Sequence, residues 1–297
     1  MSGIPQAICE VGAMLGEGPV WHVASQTLWF VDIKASELLR YTPASGELRR
    51  WPAPAQAGWL LPLDDGSWAV GLQTGIHRFD PTTGQFTLAL LPEPQHPGNR
   101  LNDACADAQG RLWFGSMDDA EVAKTGRLYR LQDGVLADSG LPPVAITNGP
   151  AVSPDGRTLY HTDTLGRTIW ACALEADGRV HSPRVLAVIA AGDGYPDGPV
   201  VDSAGAVWTG LFAGHEVRRY APDGELLQRV PFPVANITKL AFGGPSLRSV
   251  YATTARKGLS AAALAQQPHA GDLFSFRVDV PGLPTPVLPA RVLPAAH

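Results

Sequence analysis

The sequence predicts an all-β fold, a six-bladed β-propeller that occupies residues 1–297 as a single domain. Three observations predict it. One pattern, an apolar run followed by a turn and a strand with an aromatic residue, occurs six times. Its copies follow one another at intervals of 39 to 48 residues, the length of four short strands. The 32 glycines and 27 prolines are spread along the chain, as expected for many strands joined by turns. The aromatic residues that mark the copies are Trp29, Trp68, Trp113, Tyr160, Trp208 and Tyr251.

The segments between these aromatics have the turn chemistry of hairpins. Asp65-Gly66 and Asp155-Gly156 are typical, because glycine accepts the positive φ that tight hairpin turns require. The Ala-rich stretch Leu259–Gln267 predicts a short helix in a loop, and the Pro- and Ala-rich tail Pro281–His297 predicts irregular chain with a loose end. Two β-sandwiches in tandem are the alternative fold. Six regular repeats without a linker favour a closed ring.

Composition excludes several classes of partner. The net charge of -5 argues against binding to nucleic acid or to an anionic membrane, since both need a basic surface. The three cysteines have no C-x-x-C spacing, which argues against a disulfide framework and a structural zinc site. The start has no signal-peptide pattern and no run of 18 apolar residues occurs, so we expect a cytoplasmic protein. No heptad or long apolar edge predicts an oligomer, and a monomer is the default expectation.

The repeat also identifies equivalent positions in different blades. Each lies about 11 to 13 residues before a marker aromatic, where a loop would enter the innermost strand of a blade. Innermost strands line the channel of a propeller, so these side chains would converge on its axis. In the second blade the position is not clear and falls near residues 56–58. In the other five blades the equivalent residues are Glu17, Asn102, Asn148, Asp197 and Thr238.

Four of these side chains, two carboxylates and two amides, form a set of hard oxygen ligands. Such a set suits Ca²⁺, Mg²⁺, Mn²⁺ or Fe²⁺, and Zn²⁺ bound through oxygen remains an alternative. Glu17, Asn148 and Asp197 are each followed by Gly-Pro, which fixes a turn and leaves the side chain to point inward. The alternative is that these are ordinary turn dipeptides. Recurrence at one phase of the repeat favours a metal site with open positions for water and substrate.

Several motifs around these positions resemble one known family. They include LGEGPVW at Leu15–Trp21, NDACADAQGRLWFGSM at Asn102–Met117 and ITNGPAVSPDGRTLYHTDT at Ile146–Thr164. The sequence resembles the family of gluconolactonase, senescence marker protein and luciferin-regenerating enzyme along nearly its whole length. FVDIK at Phe30–Lys34 and TTARKGLS at Thr253–Ser260 make it most similar to bacterial aldonolactonases of the xylonolactonase type.

The resemblance implies a six-bladed propeller and assigns roles to particular residues. It implies that Glu17, Asn148 and Asp197 bind one divalent metal ion, with Fe²⁺ favoured, and that Arg100 and Asn102 contact the substrate. A glutamate of the family that touches the sugar corresponds to Asp119 or, alternatively, to Glu121. We carry the role over to Asp119.

The predicted function is metal-dependent hydrolysis of a small-molecule sugar lactone, such as xylono- or arabinono-lactone, to the aldonic acid. The metal would polarise the lactone carbonyl and Asp197 would take the proton of the attacking water. Two alternatives stay open. The same metal could serve a hexonolactone, an aryl ester or an organophosphate, or the chain could be a metal-stabilised binding propeller without catalysis.

Some neighbouring residues have no clear role in the sequence. Trp59, Tyr195 and Phe212 could stack on a sugar or pack between blades. The basic residues Lys239, Arg256 and Lys257 are expected to form a solvated rim.

Overall fold

The computed structural model describes residues 3–294 and confirms the six-bladed β-propeller. Each blade is an antiparallel sheet of four strands, and each marker aromatic lies on the second strand from the axis. In the first three blades the strands are β2 (Gly16–His22), β3 (Thr27–Asp32), β4 (Glu37–Thr42) and β5 (Glu47–Pro52); β6 (Ala57–Pro62), β7 (Trp68–Leu72), β8 (Gly75–Asp80) and β9 (Gln85–Leu90); and β10 (Asn99–Ala106), β11 (Leu112–Asp118), β12 (Leu128–Gln132) and β13 (Val135–Asp138).

The last three blades follow the same plan. Their strands are β14 (Thr147–Val152), β15 (Thr158–Asp163), β16 (Thr168–Leu174) and β17 (Val180–Val188); β18 (Tyr195–Val201), β19 (Val207–Phe212), β20 (Glu216–Tyr220) and β21 (Leu226–Pro231); and β22 (Ile237–Gly243), β23 (Ser249–Thr254), β24 (Leu273–Arg277) and β1 (Gln6–Cys9). The outer strand of the sixth blade is therefore β1, so the first strand of the chain pairs with the last and closes the ring. The closed ring rules out tandem sandwiches.

The predicted short helix is present between β23 and β24. Helix α1 (Ala261–Gln266) begins after Ser260, whose hydroxyl accepts a hydrogen bond from the Ala263 amide at 3.2 Å. This is the usual way in which serine caps the first turn of a helix. In residues 3–294 no helix is long and apolar enough to cross a membrane.

Apolar side chains of neighbouring blades pack against each other and form the core. The largest cluster joins the first three blades and includes Trp29, Trp59 and Phe114. Trp59 is fully buried there, and its indole fills the space beside Gly71, where a Cβ would lie only 2.1 Å from the ring. Trp59 is thus a packing residue between blades, and it does not line the cavity described below.

The innermost strand of every blade carries a β-bulge at the position that the repeat singled out. The register slips by one residue between Glu17 and Val20 in the first blade, and at the equivalent place in the other five. A bulge inserts an unpaired residue and turns its side chain out of the regular alternation. The polar residues singled out by the repeat therefore lie at or directly beside the point where the regular alternation of side chains is broken. In the second blade the bulged residue is Gly58, which explains why no polar side chain was identifiable there.

The C-terminal segment runs across one face of the ring, in the part described up to Pro294. Gly282 forms a bridge to Asp202 in the fifth blade, and Leu288 bridges to Leu63 in the second blade. The amide of Gly134 in the third blade then donates to the Val292 carbonyl at 3.1 Å. We call residues 279–294 the strap. It contains only a 3-10 turn at Ala290–Val292, and the last three residues of the predicted loose tail lie outside the described residues.

Candidate active site

A cavity of about 260 Å³ lies at the end of the channel opposite the strap, where the innermost strands begin. Five of the polar residues singled out from the sequence line it together: Glu17, Arg100, Asn102, Asn148 and Asp197. All five side chains are buried. They come from four blades, so only the closed ring brings them together.

Two carboxylates, Glu17 and Asp197, lie side by side in this cavity. Each is held by the amide of the following glycine, Gly18 at 2.8 Å and Gly198 at 2.9 Å. Burial and the nearby carboxylates Asp197 and Asp103 raise the pKa of Glu17 well above its ordinary value. Burial, followed by the charge of Asp103, raises the pKa of Asp197 to about 7. A cation beside two such buried acids would stabilise their ionised forms.

A chain of hydrogen bonds fixes the amide groups beside the carboxylates. Arg100 Nη1 donates to Asn102 Oδ1 at 2.6 Å, and Asn102 Nδ2 donates to Asn148 Oδ1 at 2.9 Å and to the Thr147 carbonyl at 2.6 Å. Asn148 Nδ2 in turn lies 2.8 Å from the Thr164 hydroxyl. Because a guanidinium can only donate, its bond assigns the oxygen of Asn102 and, through it, the oxygen of Asn148.

This chain limits what Asn102 can do for a substrate. Both hydrogens of its amide are used by Thr147 and Asn148, so only the remaining lone pair of Oδ1 can accept from a hydroxyl. Arg100 uses Nε and Nη1 for protein contacts within residues 3–294, which leaves Nη2 as a donor. Substrate contact by both residues stays a prediction.

Asp119 lies behind Arg100 and is not among the residues that line the cavity. Its carboxylate accepts from Arg100 Nε at 2.9 Å, from Lys34 Nζ at 2.8 Å and from Gln56 Nε2 at 3.0 Å. These donors come from three different blades. The hydrogen bonds from Lys34 and Gln56, together with the charge of Arg100, outweigh the effect of burial and lower its pKa to about 2. The alternative residue, Glu121, does line the cavity.

A buried ion pair beneath the carboxylates was not identified from the sequence. Lys239 Nζ pairs with Asp103 Oδ1, and Asp103 Oδ2 accepts from the Gly149 amide at 2.9 Å. The prediction that Lys239 belongs to a solvated rim is wrong, because its side chain is only 7% exposed. The pair explains why residue 198 is a glycine, because a Cβ at this position would lie only 2.7 Å from Asp103 Oδ2. The sequence did contain one indication of a buried charge, since the acidic residue Asp103 directly follows Asn102 on an innermost strand.

One wall of the cavity is apolar. It includes Ile146, Leu165, Tyr195 and Phe212. The Arg167 guanidinium lies 3.9 Å from the centre of the Tyr195 ring, and this cation–π contact helps to hold the ring in place. Two of the three aromatics considered from the sequence, Tyr195 and Phe212, thus flank the polar floor, where the carbon face of a sugar could pack.

The residues present fit a divalent metal ion. Glu17 and Asp197 supply carboxylate oxygens, and the hydrogen-bonded chain presents Asn148 Oδ1. A cation there would relieve the repulsion that raises both acid pKa values. Within residues 3–294 no group of three His, Cys, Asp or Glu side chains is placed to share an ion, since the third donor here is an amide. Fewer than four protein ligands leave positions for water and substrate.

Comparison with known proteins gives consistent results. Residues 15–256 match the model of the SMP-30/Gluconolactonase/LRE-like region. An L-arabinolactonase of Azospirillum brasilense is 38% identical over 288 residues, which is 96% of this chain and 95% of that protein. A 6-deoxy-6-sulfogluconolactonase of Pseudomonas putida is 36% identical over 279 residues, which is 93% of this chain and 95% of that protein.

Solved structures show the same fold. The crystal structure of a calcium-binding protein, regucalcin, from Agrobacterium tumefaciens superposes with a TM-score of 0.92 at 29% identity. The match covers 96% of this chain and 97% of that one.

Proposed function

We propose that this chain, which belongs to the SMP-30/gluconolactonase/LRE-like family, uses one divalent metal ion to hydrolyse a sugar lactone to its aldonic acid. Its similarity to curated lactonases makes the chain a sugar lactonase, and the two lactonases compared above match nearly its whole length. A pentonolactone such as arabinono- or xylono-lactone is our proposed substrate. The relatives differ in the charge of their named substrates, so the similarity leaves that property open.

The observation that carries the proposal is the meeting of Glu17, Asn148 and Asp197 with Arg100 in one cavity. A cyclic ester rich in hydroxyls needs a group that polarises its carbonyl, a base for water and donors for its hydroxyls. When bound by Glu17, Asn148 and Asp197, a divalent ion supplies Lewis acidity toward the carbonyl oxygen. That the regucalcin relative is a calcium-binding protein supports a divalent ion in this fold.

Asp197 is the proposed general base. The Gly198 amide occupies one lone pair of Oδ1, so the carboxylate has lone pairs left both for the ion and for the proton of an attacking water. The water oxygen bonds to the carbonyl carbon, the bond from that carbon to the ring oxygen breaks, and the ring oxygen receives the proton from Asp197 as it becomes a hydroxyl. Asp197 is then ready for another cycle.

Arg100 and the apolar wall are proposed to orient the substrate. Arg100 Nη2 would donate to a hydroxyl or to the ring oxygen, and Asn102 Oδ1 would accept from one hydroxyl; both residues line the cavity. Tyr195 and Phe212 would pack against the carbon face of the ring. The resemblance assigns Asp119 a contact with the substrate, and we keep that contact as a proposal. Asp119 also accepts a hydrogen bond from Arg100 Nε, so it would help to orient the substrate by holding the guanidinium in place.

The test strips the protein of metal with a chelator and restores Fe²⁺, Mn²⁺, Zn²⁺, Ca²⁺ or Mg²⁺ one at a time. Acid release is followed with a panel of pentono- and hexonolactones, an aryl ester and an organophosphate. We expect activity on a pentonolactone that returns with at least one of the ions. No activity above the spontaneous rate with any ion would overturn the proposal, and turnover of aryl esters or organophosphates alone would favour the alternative ester hydrolase.

A further inference from the structure

The mouth of the cavity is bridged by an ion pair between opposite blades. Glu121 lies on the loop after β11 of the third blade, and Lys257 lies on the loop after β23 of the sixth blade. Lys257 Nζ contacts Glu121 Oε1. Both residues line the cavity, yet their side chains are 34% and 32% exposed, whereas the carboxylates at the floor are buried. The pair therefore stands at the solvent end of the cavity, and we call it the latch.

Both halves of the latch are held by their backbones. Glu121 has a φ of 61°, a left-handed conformation that costs free energy for a residue with a side chain. Asp118 maintains it: its carbonyl accepts from the Glu121 amide at 2.9 Å, and its carboxylate accepts from the amides of Val122 and Ala123 at 2.9 and 2.7 Å. These hydrogen bonds fix the backbone from which Glu121 reaches Lys257.

The backbone of Lys257, the other half of the latch, is fixed by hydrogen bonds to both its amide and its carbonyl. The amide of Lys257 donates to the Met14 carbonyl at 2.9 Å, and its carbonyl accepts from Asn236 Nδ2 at 2.9 Å. Lys257 therefore reaches toward Glu121 from an anchored loop. Lys257 lies at the solvent end of the cavity, as expected for a rim residue, and its ammonium is paired with Glu121 there.

We propose that the Glu121–Lys257 latch selects sugar lactones by the charge of the substituent that projects toward the mouth. The inference rests on the proposed lactonase function and assigns the substrate class as neutral. With its charge matched by Glu121, Lys257 does not attract a sulfonate or carboxylate group, and Glu121 repels it. A neutral polyol can exchange hydrogen bonds with both residues, since the carboxylate accepts and the ammonium donates.

The test uses two lactones that differ only at the terminal carbon, gluconolactone and 6-deoxy-6-sulfogluconolactone. Their kcat/KM values are compared on the metal-restored full chain for the wild type, E121Q and K257M. We expect the wild type to prefer the neutral lactone. E121Q leaves Lys257 unpaired and should shift the ratio toward the sulfonated lactone by about tenfold, whereas K257M should shift it the other way by a similar factor.

Matched controls are K124M, an exposed lysine of the same loop as Glu121, and E225Q, on an outer turn of the fifth blade. Each removes the same charge outside the cavity and should leave the ratio unchanged. A wild-type preference for the sulfonated lactone would overturn the latch, and so would a ratio that moves less than about twofold in both E121Q and K257M. If the wild type hydrolyses the two lactones and the pentonolactones no faster than water, the proposed function fails, and the inference fails with it.

Discussion

Asn102 donates through Nδ2 to Asn148 Oδ1 at 2.9 Å, from one blade to the next. The direction of this bond is set by Arg100, whose guanidinium can only donate to Asn102 Oδ1. The oxygen proposed to bind metal is therefore oriented by a residue that does not itself need to touch the ion. Contacts of this kind determine the affinity of a metal site as well as the ligands do.

Replacing Asn102 by aspartate should weaken metal binding. The substitution N102D places a carboxylate oxygen against Asn148 Oδ1, so the amide of Asn148 is expected to turn its NH₂ toward the site. We expect the dissociation constant for the divalent ion to rise by about tenfold or more, as for other changes behind a metal ligand. Calorimetric titration of the ion into protein that has been stripped of metal measures this dissociation constant. Q109E adds the same charge at the other end of the channel and should not change the constant.

Asp197 should be needed for turnover. In D197N the side chain keeps its size but cannot take a proton, so kcat should fall by at least about 10². The rate is followed in a pH-stat with metal in excess, so that any loss of affinity is saturated. D223N, on an exposed turn of the fifth blade, is the control. A D197N enzyme with more than a tenth of wild-type kcat would assign the base elsewhere.

The stability of the metal-free protein should fall as pH rises from about 4 to about 7. The folded-state pKa of Asp197 is raised to about 7, so the folded protein holds a proton that the unfolded chain has released. That advantage is complete below the ordinary pKa of the acid and is lost as pH rises through the folded value. Bound metal replaces the proton, so the increase in Tm on adding metal should be larger at pH 8 than at pH 5. An equal increase at both values would contradict the assignment of the site.

The strap should contribute measurably to stability. Leu288 is completely buried where the strap meets the second blade, and its amide donates to the Pro62 carbonyl at 2.9 Å. L288A should lower the free energy of unfolding by about 2–5 kcal/mol, the usual cost of emptying a buried leucine site. V287A changes the neighbouring residue, which is half exposed, and should cost less than about 0.5 kcal/mol. Equal effects in a urea titration would show that the strap is only loosely attached.

The repeat made much of the fold predictable, because each copy places its own aromatic and turn. It also predicted the place of Glu17, Asn148 and Asp197, since equivalent positions in a ring must converge. The repeat could not predict contacts that occur at a single place in the ring and are not repeated from blade to blade. Lys239 pairs with Asp103 across the channel, and no local pattern distinguishes it from a surface lysine.

The loops were least predictable. Asp119 and Glu121 are two residues apart, but the turn fixed by Asp118 sends one behind Arg100 and the other into the cavity. Such a choice depends on backbone dihedral angles in a segment that has no counterpart in the other blades. The crossing of the strap from the fifth blade to the second is likewise a long-range contact without a periodic signal.

The pairing of β1 with β24 has a consequence for how the protein comes into being on the ribosome. Glu17 is synthesised early and Asp197 much later, and the sheet that holds the ring shut needs a strand from each end of the chain. The nascent polypeptide can therefore build individual blades, but it cannot enclose an ion until synthesis has passed Arg277. With Glu17, Asn148 and Asp197 as the proposed ligands, uptake of the ion would be a late event of biogenesis, and an ion retained by the protein would report that the ring was completed.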